Sequence, residues 1–211
     1  MIESIKKKVK PYVFAWRYRN ERKTIKNKEF TIISDNCWGG RIYQGLGLPY
    51  QSPFIGLFIY SPDYVKLLSN LRYYLSGEIS LIFVQESAYR PQEEIYYPVA
   101  LLDDLEIHFL HYKDEEEARS KWNRRLARMN WDNLYFKMND NDRATYQLLK
   151  DFQDLPYQAK VIFSSTKYPD LKDLVFFENR SEQGFVGEDL KIYHSYFDVV
   201  EWLNCGGDQI R

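Results

Sequence analysis

The feature that most narrows the fold is a change of hydrophobic period that recurs along the chain. The run Phe30-Thr31-Ile32-Ile33-Ser34 is short, apolar and β-branched, the pattern of a buried strand. It ends in a small polar turn, 34–40, and residues 41–48 then read as a short helix stopped by Gly47 and Pro49. Residues 54–60, between Pro53 and Pro62, read as irregular or strand-like. Ser61-Pro62-Asp63 opens a helix through Leu75, because Tyr64, Leu67, Leu68, Leu71 and Leu75 recur at helical spacing and proline is tolerated in a first turn. Segments 79–84, 98–102 and 105–111 read as extended. Asp114 caps a helix to about Met129, whose acidic first turn and basic later turns both suit the helix dipole. A helix over 142–152, strands over 160–164 and 174–178, and a closing helix over 196–203 complete the pattern. Strand and helix alternate without a repeat or a low-complexity linker. That predicts α/β architecture, a largely parallel or mixed sheet flanked by helices, in one domain over 30–211.

Residues 1–29 read as a short helical arm. Lys6, Lys7, Lys8, Lys10, Arg17, Arg19, Arg22 and Lys23 give it a basic face, which serves either as a solvated surface or for peripheral attachment to acidic headgroups. With Lys+Arg 29 against Asp+Glu 30 the net charge is -1, so no global field favours nucleic acid. Two isolated cysteines, Cys37 and Cys205, lack the paired spacing of a zinc or redox site and fit a reducing, cytoplasmic compartment. The sequence calls for no cofactor. The histidines form no HExxH pattern, and no Asp-x-Asp unit of the kind that holds a sugar-nucleotide metal stands out, since Asn139-Asp140-Asn141-Asp142 reads as a helix-capping turn.

Three places could carry chemistry. In open α/β sheets ligands bind beyond the carboxyl ends of strands, where loops meet helix N-termini. The turn Ser34-Asp35-Asn36-Cys37-Trp38-Gly39-Gly40 lies at such a place. Cys37 there is either a structural thiol or a nucleophile whose thiolate the helix N-terminus favours, with the backbone of Trp38, Gly39 and Gly40 holding an oxyanion. Ser34, Asp35 and Asn36 would orient base or substrate. The second place is the strand carrying Glu106, His108 and His111. His111, at its carboxyl end, could serve as the base for Cys37, while His108 pairs with Glu106 or contacts substrate. The third is the helix from Asp114 with the turn after it. Arg124 and Arg128, with Asn133 beyond, form either a solvated face or a grip on an anionic substrate group such as the phosphates of a nucleotide sugar.

The blocks Phe30 to Gly40, Tyr43-Gln44-Gly45-Leu46-Gly47-Leu48-Pro49-Tyr50, Ser52-Pro53-Phe54-Ile55-Gly56-Leu57, Glu106 to Tyr112, Glu115-Glu116-Glu117-Ala118 with Lys121-Trp122 and Arg124-Arg125, and Asn130 to Asn133 resemble a bacterial family of exopolysaccharide-biosynthesis proteins, domain-of-unknown-function family 1919. The resemblance runs from about Phe30 to Leu203. It implies a place in surface-polysaccharide assembly, with a sugar, sugar-nucleotide or lipid-linked substrate, and leaves the reaction open. A fainter likeness, in the order of the cysteine turn, the Ser-Pro-Phe block and a distant Phe-x-His, is similar to papain-like cysteine peptidases and their acyltransferase relatives. It implies Cys37 as acyl-accepting nucleophile and His111 as base. Trp38 after the cysteine and the doubled histidine depart from that pattern. The expectation is a transferase, acyl or glycosyl, or else a non-catalytic component of the assembly machinery.

Overall fold

The computed structural model describes residues 18–207. Its centre is a four-stranded parallel sheet in the order β1 (Thr31–Ser34), β5 (Leu134–Asn139), β6 (Lys160–Ser164), β7 (Leu174–Phe176). Between β1 and β5 the chain makes a long excursion. It runs through α2 (Trp38–Leu46), α3 (Ser61–Ser69), α4 (Leu71–Tyr74), a three-stranded antiparallel sheet of β2 (Leu81–Val84), β3 (Val99–Leu102) and β4 (Leu105–His108), and α5 (Glu115–Leu126). The remaining elements are α1 (Glu21–Thr24), α6 (Tyr146–Asp154), α7 (Asp189–Ile192) and α8 (Val199–Asn204). The α/β expectation holds, as a parallel sheet with a second, antiparallel one.

Strand alternation builds two cores from one sheet. Ile33, Phe136, Met138 and Ile162 face α3, α4, α6 and the small sheet. Ile32, Tyr135, Val161, Phe163 and Val175 face α2 and α8. Lys137 follows the parity of Tyr135, so it lies on the second face, with its ammonium 5.4 Å from the Phe163 ring centroid. The amino-terminal segment joins this second core. Tyr18 and Ile25 are buried in it, and Gly45 is required beneath Tyr18, whose ring carbon Cε1 lies 2.3 Å from where a Cβ would stand. Residues 1–17, which carry most of the predicted basic arm, lie outside the described residues. No helix among the described residues is long and apolar enough to cross a membrane.

Five local expectations change. The first helix starts at Trp38 rather than 41, so both glycines of the turn are helical. The 61–75 helix breaks at Asn70, whose φ of -140° and ψ of 49° leave the helical region. The strand over 105–111 stops at His108, because Leu110 N returns to His108 O at 3.0 Å and turns the chain. Asn139 ends the strand β5, and 140–142 form the turn after it and do not cap a helix. The following helix starts at Tyr146, capped by the Thr145 hydroxyl, after Asp142 and Arg143 have both taken left-handed backbone (φ 53° and 67°). Strand β5 has no counterpart in the sequence reading. Lys137 interrupts its apolar run, and the groups that make burial of that lysine tolerable are distant in sequence.

Candidate functional site

The carboxyl ends of β1 and β5 meet α7 around one buried cation. Lys137 Nζ lies 3.0 Å from Asp35 Oδ1 and 2.5 Å from Asp189 Oδ2, and all three side chains are at most 2% exposed. Desolvation pulls the lysine's pKa down, but Asp189 and Asp35 outweigh it and the net shift is upward, so Lys137 stays charged. Burial in turn pushes Asp35 up to about 6, against the pull of Lys137 and of the Asn139 N–H, which donates to Asp35 Oδ2 at 2.9 Å. Asn36 completes the cluster. Its Nδ2 donates to Asp189 Oδ2 at 2.9 Å and its Oδ1 accepts from Lys137 at 3.3 Å.

Over this cluster opens a cavity of about 460 Å³. Asn36, Cys37, Phe58, Arg90, Tyr96, His111, Asp142 and Asp189 are among its lining residues, and its volume suits a small-molecule ligand. Cys37 and His111, predicted as nucleophile and base, do line the same cavity. The thiol is set up differently from the expectation. Cys37 is the N-cap of α2, yet its pKa is pushed up to about 11 by burial and by Asp189, with Asp35 adding to the shift and Lys137 opposing it. Its S–H is directed at Leu57 O, 3.6 Å away. The amides expected to hold an oxyanion are occupied in part. Trp38 N donates to Asn36 Oδ1 at 3.0 Å and Gly39 N to Ser34 Oγ at 3.1 Å, while Ser34 Oγ donates to Asn36 O. The Trp38 ring is in the core between Phe163, Tyr193 and Trp202, and Gly39 and Gly40 let the helix settle onto Ile32 and Ile55.

The other predicted residues lie elsewhere. His108 is fully buried, stacked on Phe58 at 4.5 Å, with Nε2 2.7 Å from Glu106 Oε1 but off hydrogen-bond alignment. Desolvation, only partly opposed by Glu106, takes its pKa down to about 4, so the ring is neutral. Arg124 and Arg128 are exposed on and beyond α5, and Asn133 donates to Asn27 and Glu29, none of them among the cavity's lining residues. The buried arginine of that helix is Arg125, which donates to the Tyr112 hydroxyl at 2.5 Å.

Comparison with known proteins follows the same span. Residues 8–204 match the family described as Domain of unknown function (DUF1919). The chain belongs to that family. It is also similar to an uncharacterized protein of Haemophilus influenzae, 36% identical over 193 residues, which cover 88% of this chain and 89% of the relative.

In this DUF1919 chain one cavity residue absent from the candidates read in the sequence is Asp142. Its carboxylate accepts no hydrogen bond from the described residues, burial raises its pKa, and its backbone is held at φ 53° by a hydrogen bond from Ser61 N to its carbonyl, 3.0 Å. Left-handed backbone at a non-glycine residue is strain that the surroundings must impose, and such strain concentrates at functional sites. Lys137, Asp189 and Arg90 were missed too. Sequence parity could have flagged Lys137 as an inward lysine; nothing local marks the others. Among the described residues no group of three or more His, Cys, Asp or Glu side chains is placed to hold a metal ion. What the cavity offers is a base-competent carboxylate, hydrogen-bonding amide and carboxylate groups, an arginine and the exposed Tyr96 ring.

Proposed function

We propose that this protein is a transferase of surface-polysaccharide assembly that moves a glycosyl group onto a sugar hydroxyl in this cavity, with Asp142 as general base. The observation that carries the reading is the Asp142 carboxylate, raised in pKa, without a donor among the described residues and set on left-handed backbone, at the carboxyl edge of a parallel sheet. Tyr96, strongly exposed, supplies a ring face, and Asn36, Asp189 and His111 supply polar partners, the mixture that suits a polyol. In the transfer, Asp142 takes the acceptor's hydroxyl proton as the acceptor oxygen bonds the anomeric carbon. The bond from that carbon to the leaving group breaks, and its electron pair departs with the leaving group. The link to surface polysaccharide rests on the resemblance of the sequence blocks.

A second reading, acyl transfer with Cys37 as nucleophile and His111 as base, draws support from their shared cavity. The raised thiol pKa and the engaged Trp38 and Gly39 amides weigh for the first reading. One pair of chromosomal variants in the host bacterium separates them. Asp142→Asn is isosteric, and asparagine is at ease in left-handed backbone. It should keep its thermal midpoint and lose the surface polysaccharide, measured by sugar composition, whereas Cys37→Ala should keep the polysaccharide. The reverse result would establish the acyl reading and remove Asp142 as base.

A further inference from the structure

Asp142 does not end the cavity. A second cavity, of about 470 Å³, lies on its other side and is lined by Asp140, Asn141, Asp142, Arg143, Ala144, Gly184 and Phe185. Two features of this neighbour are built and not incidental. The first is an aromatic ring held out to solvent. Phe185 is 50% exposed, yet the two residues that follow it are clipped down. Val186 N donates to Asp140 Oδ1 at 2.7 Å, and Gly187 exchanges two hydrogen bonds with the Asn141 side chain at 3.0 and 3.1 Å. Asp140 is itself fixed by the Ser165 N–H and hydroxyl at 2.6 and 2.7 Å. Left-handed Gly184 and Gly187 bracket the ring, and Val186 beside it is fully buried as an anchor. The loop is fixed, and the ring nonetheless stays half exposed.

The second feature is a guanidinium without a carboxylate. Arg143 lies over the stacked Tyr60–Tyr89 pair, 4.9 Å from the Tyr89 centroid and 5.6 Å from that of Tyr60, and donates to Tyr89 O at 3.0 Å. No ion pair to it forms among the described residues. An arginine has five N–H donors in a planar fork, so the aromatic seat orients this one and leaves donors free for an anion. The same tyrosine pair steadies the arginine of the first cavity, because Arg90 Nε donates to the Tyr60 hydroxyl at 2.8 Å.

We infer that the second cavity is the donor subsite and takes a glycosyl diphosphate, its diphosphate gripped by Arg143 and its sugar ring seated on Phe185, with Asp142 between donor and acceptor. The inference rests on the glycosyl-transfer reading and adds the donor's chemical class. A planar fork matches phosphate oxygens bidentately, and an aromatic face matches the apolar face of a pyranose. When the anomeric bond breaks, the electron pair goes onto the diphosphate oxygen, where Arg143 meets the added charge, while the acceptor's proton goes to Asp142.

Calorimetric titration of the full chain with uridine diphosphoglucose and with farnesyl diphosphoglucose tests it, with free glucose as the phosphate-free control. At least one diphosphate should bind and glucose should not; the nucleotide compound identifies a nucleotide-linked donor, the farnesyl compound a lipid-linked one. Arg143→Gln should weaken that binding about tenfold or more, the loss of a charge-assisted contact, and Phe185→Ala several-fold. Asp142→Asn should bind at least as well as wild type, since it removes a negative charge facing the diphosphate. Binding of neither compound, or binding unchanged in the Arg143→Gln or Phe185→Ala variant, overturns the subsite, whatever the Asp142→Asn polysaccharide result. Binding that behaves as expected while Asp142→Asn still makes polysaccharide removes the base and keeps the subsite.

Discussion

Two regions of this molecule bury a base against carboxylate, and they resolve the conflict in opposite ways. At the end of the parallel sheet, Lys137 faces both Asp35 and Asp189 and keeps its proton, because two carboxylates outweigh its desolvation. In the small antiparallel sheet, His108 faces Glu106 alone. That carboxylate already accepts from Ala88 N at 2.8 Å and from the Ser87 hydroxyl, and Phe58, Tyr60 and Tyr97 surround the ring. Desolvation wins and the imidazole is neutral. The first region holds charge beneath a cavity; the second uses its polar groups to pin the 85–96 loop that brings Arg90 and Tyr96 to the cavity wall. Burial alone therefore does not distinguish a site from a strut: the number of opposing charges and the opening to solvent do.

The strongest way to break this contrast is Lys137→Met. It strands two carboxylates in the interior and should cost about 3–5 kcal/mol of stability, read from the denaturant midpoint. Adding Asp35→Asn and Asp189→Asn should restore much of that loss; if it does not, the cluster's charge balance is not what the lysine supplies. Glu106→Ala should cost less, about 1–3 kcal/mol, by leaving the Ala88 amide and Ser87 hydroxyl without their acceptor. Its fingerprint is faster hydrogen exchange across 85–96 with the parallel sheet still protected.

The pH dependence sharpens the comparison further. His108 titrates near 6.5 when unfolded and near 4 in the fold, so in that window the unfolded chain holds the extra proton and His108 makes stability rise with pH. Asp35 titrates near 3.8 unfolded and near 6 folded, so the native state holds the extra proton and Asp35 makes stability fall as pH rises through its window. Relative to wild type between pH 4 and 6, His108→Leu should tilt the stability curve downward with rising pH and Asp35→Asn should tilt it upward. Tilts of the same sign would refute the opposite assignments. The smallest effect is on reactivity without stability. With a pKa of about 11, Cys37 is only about 0.1% thiolate at pH 8, so exposed Cys205 should be alkylated first, as peptide mass spectrometry would resolve.

Much of this architecture was legible in the order of residues. The β-branched run before the Ser34–Gly40 turn, the Pro62 helix start and the Asp114 cap are local signals, and local signals act through neighbours a few residues away. Asn36 and Cys37 of the turn after β1 line a cavity, since loops at strand carboxyl ends share one edge of a parallel sheet. Strand β5 was not legible, and with it went the heart of the site. A lysine amid apolar residues reads as an interruption until its partners are known, and Asp35 and Asp189 stand 102 and 52 positions away. Asp142 was misread as part of a cap because its left-handed backbone is imposed by tertiary contact, through Ser61 N, 81 positions earlier in sequence. Composition and period thus determined the fold class and where a site could form. Only the tertiary structure decided which charges meet there, because electrostatic partnership depends on distance in space and on exclusion of water, and neither is written in sequence spacing.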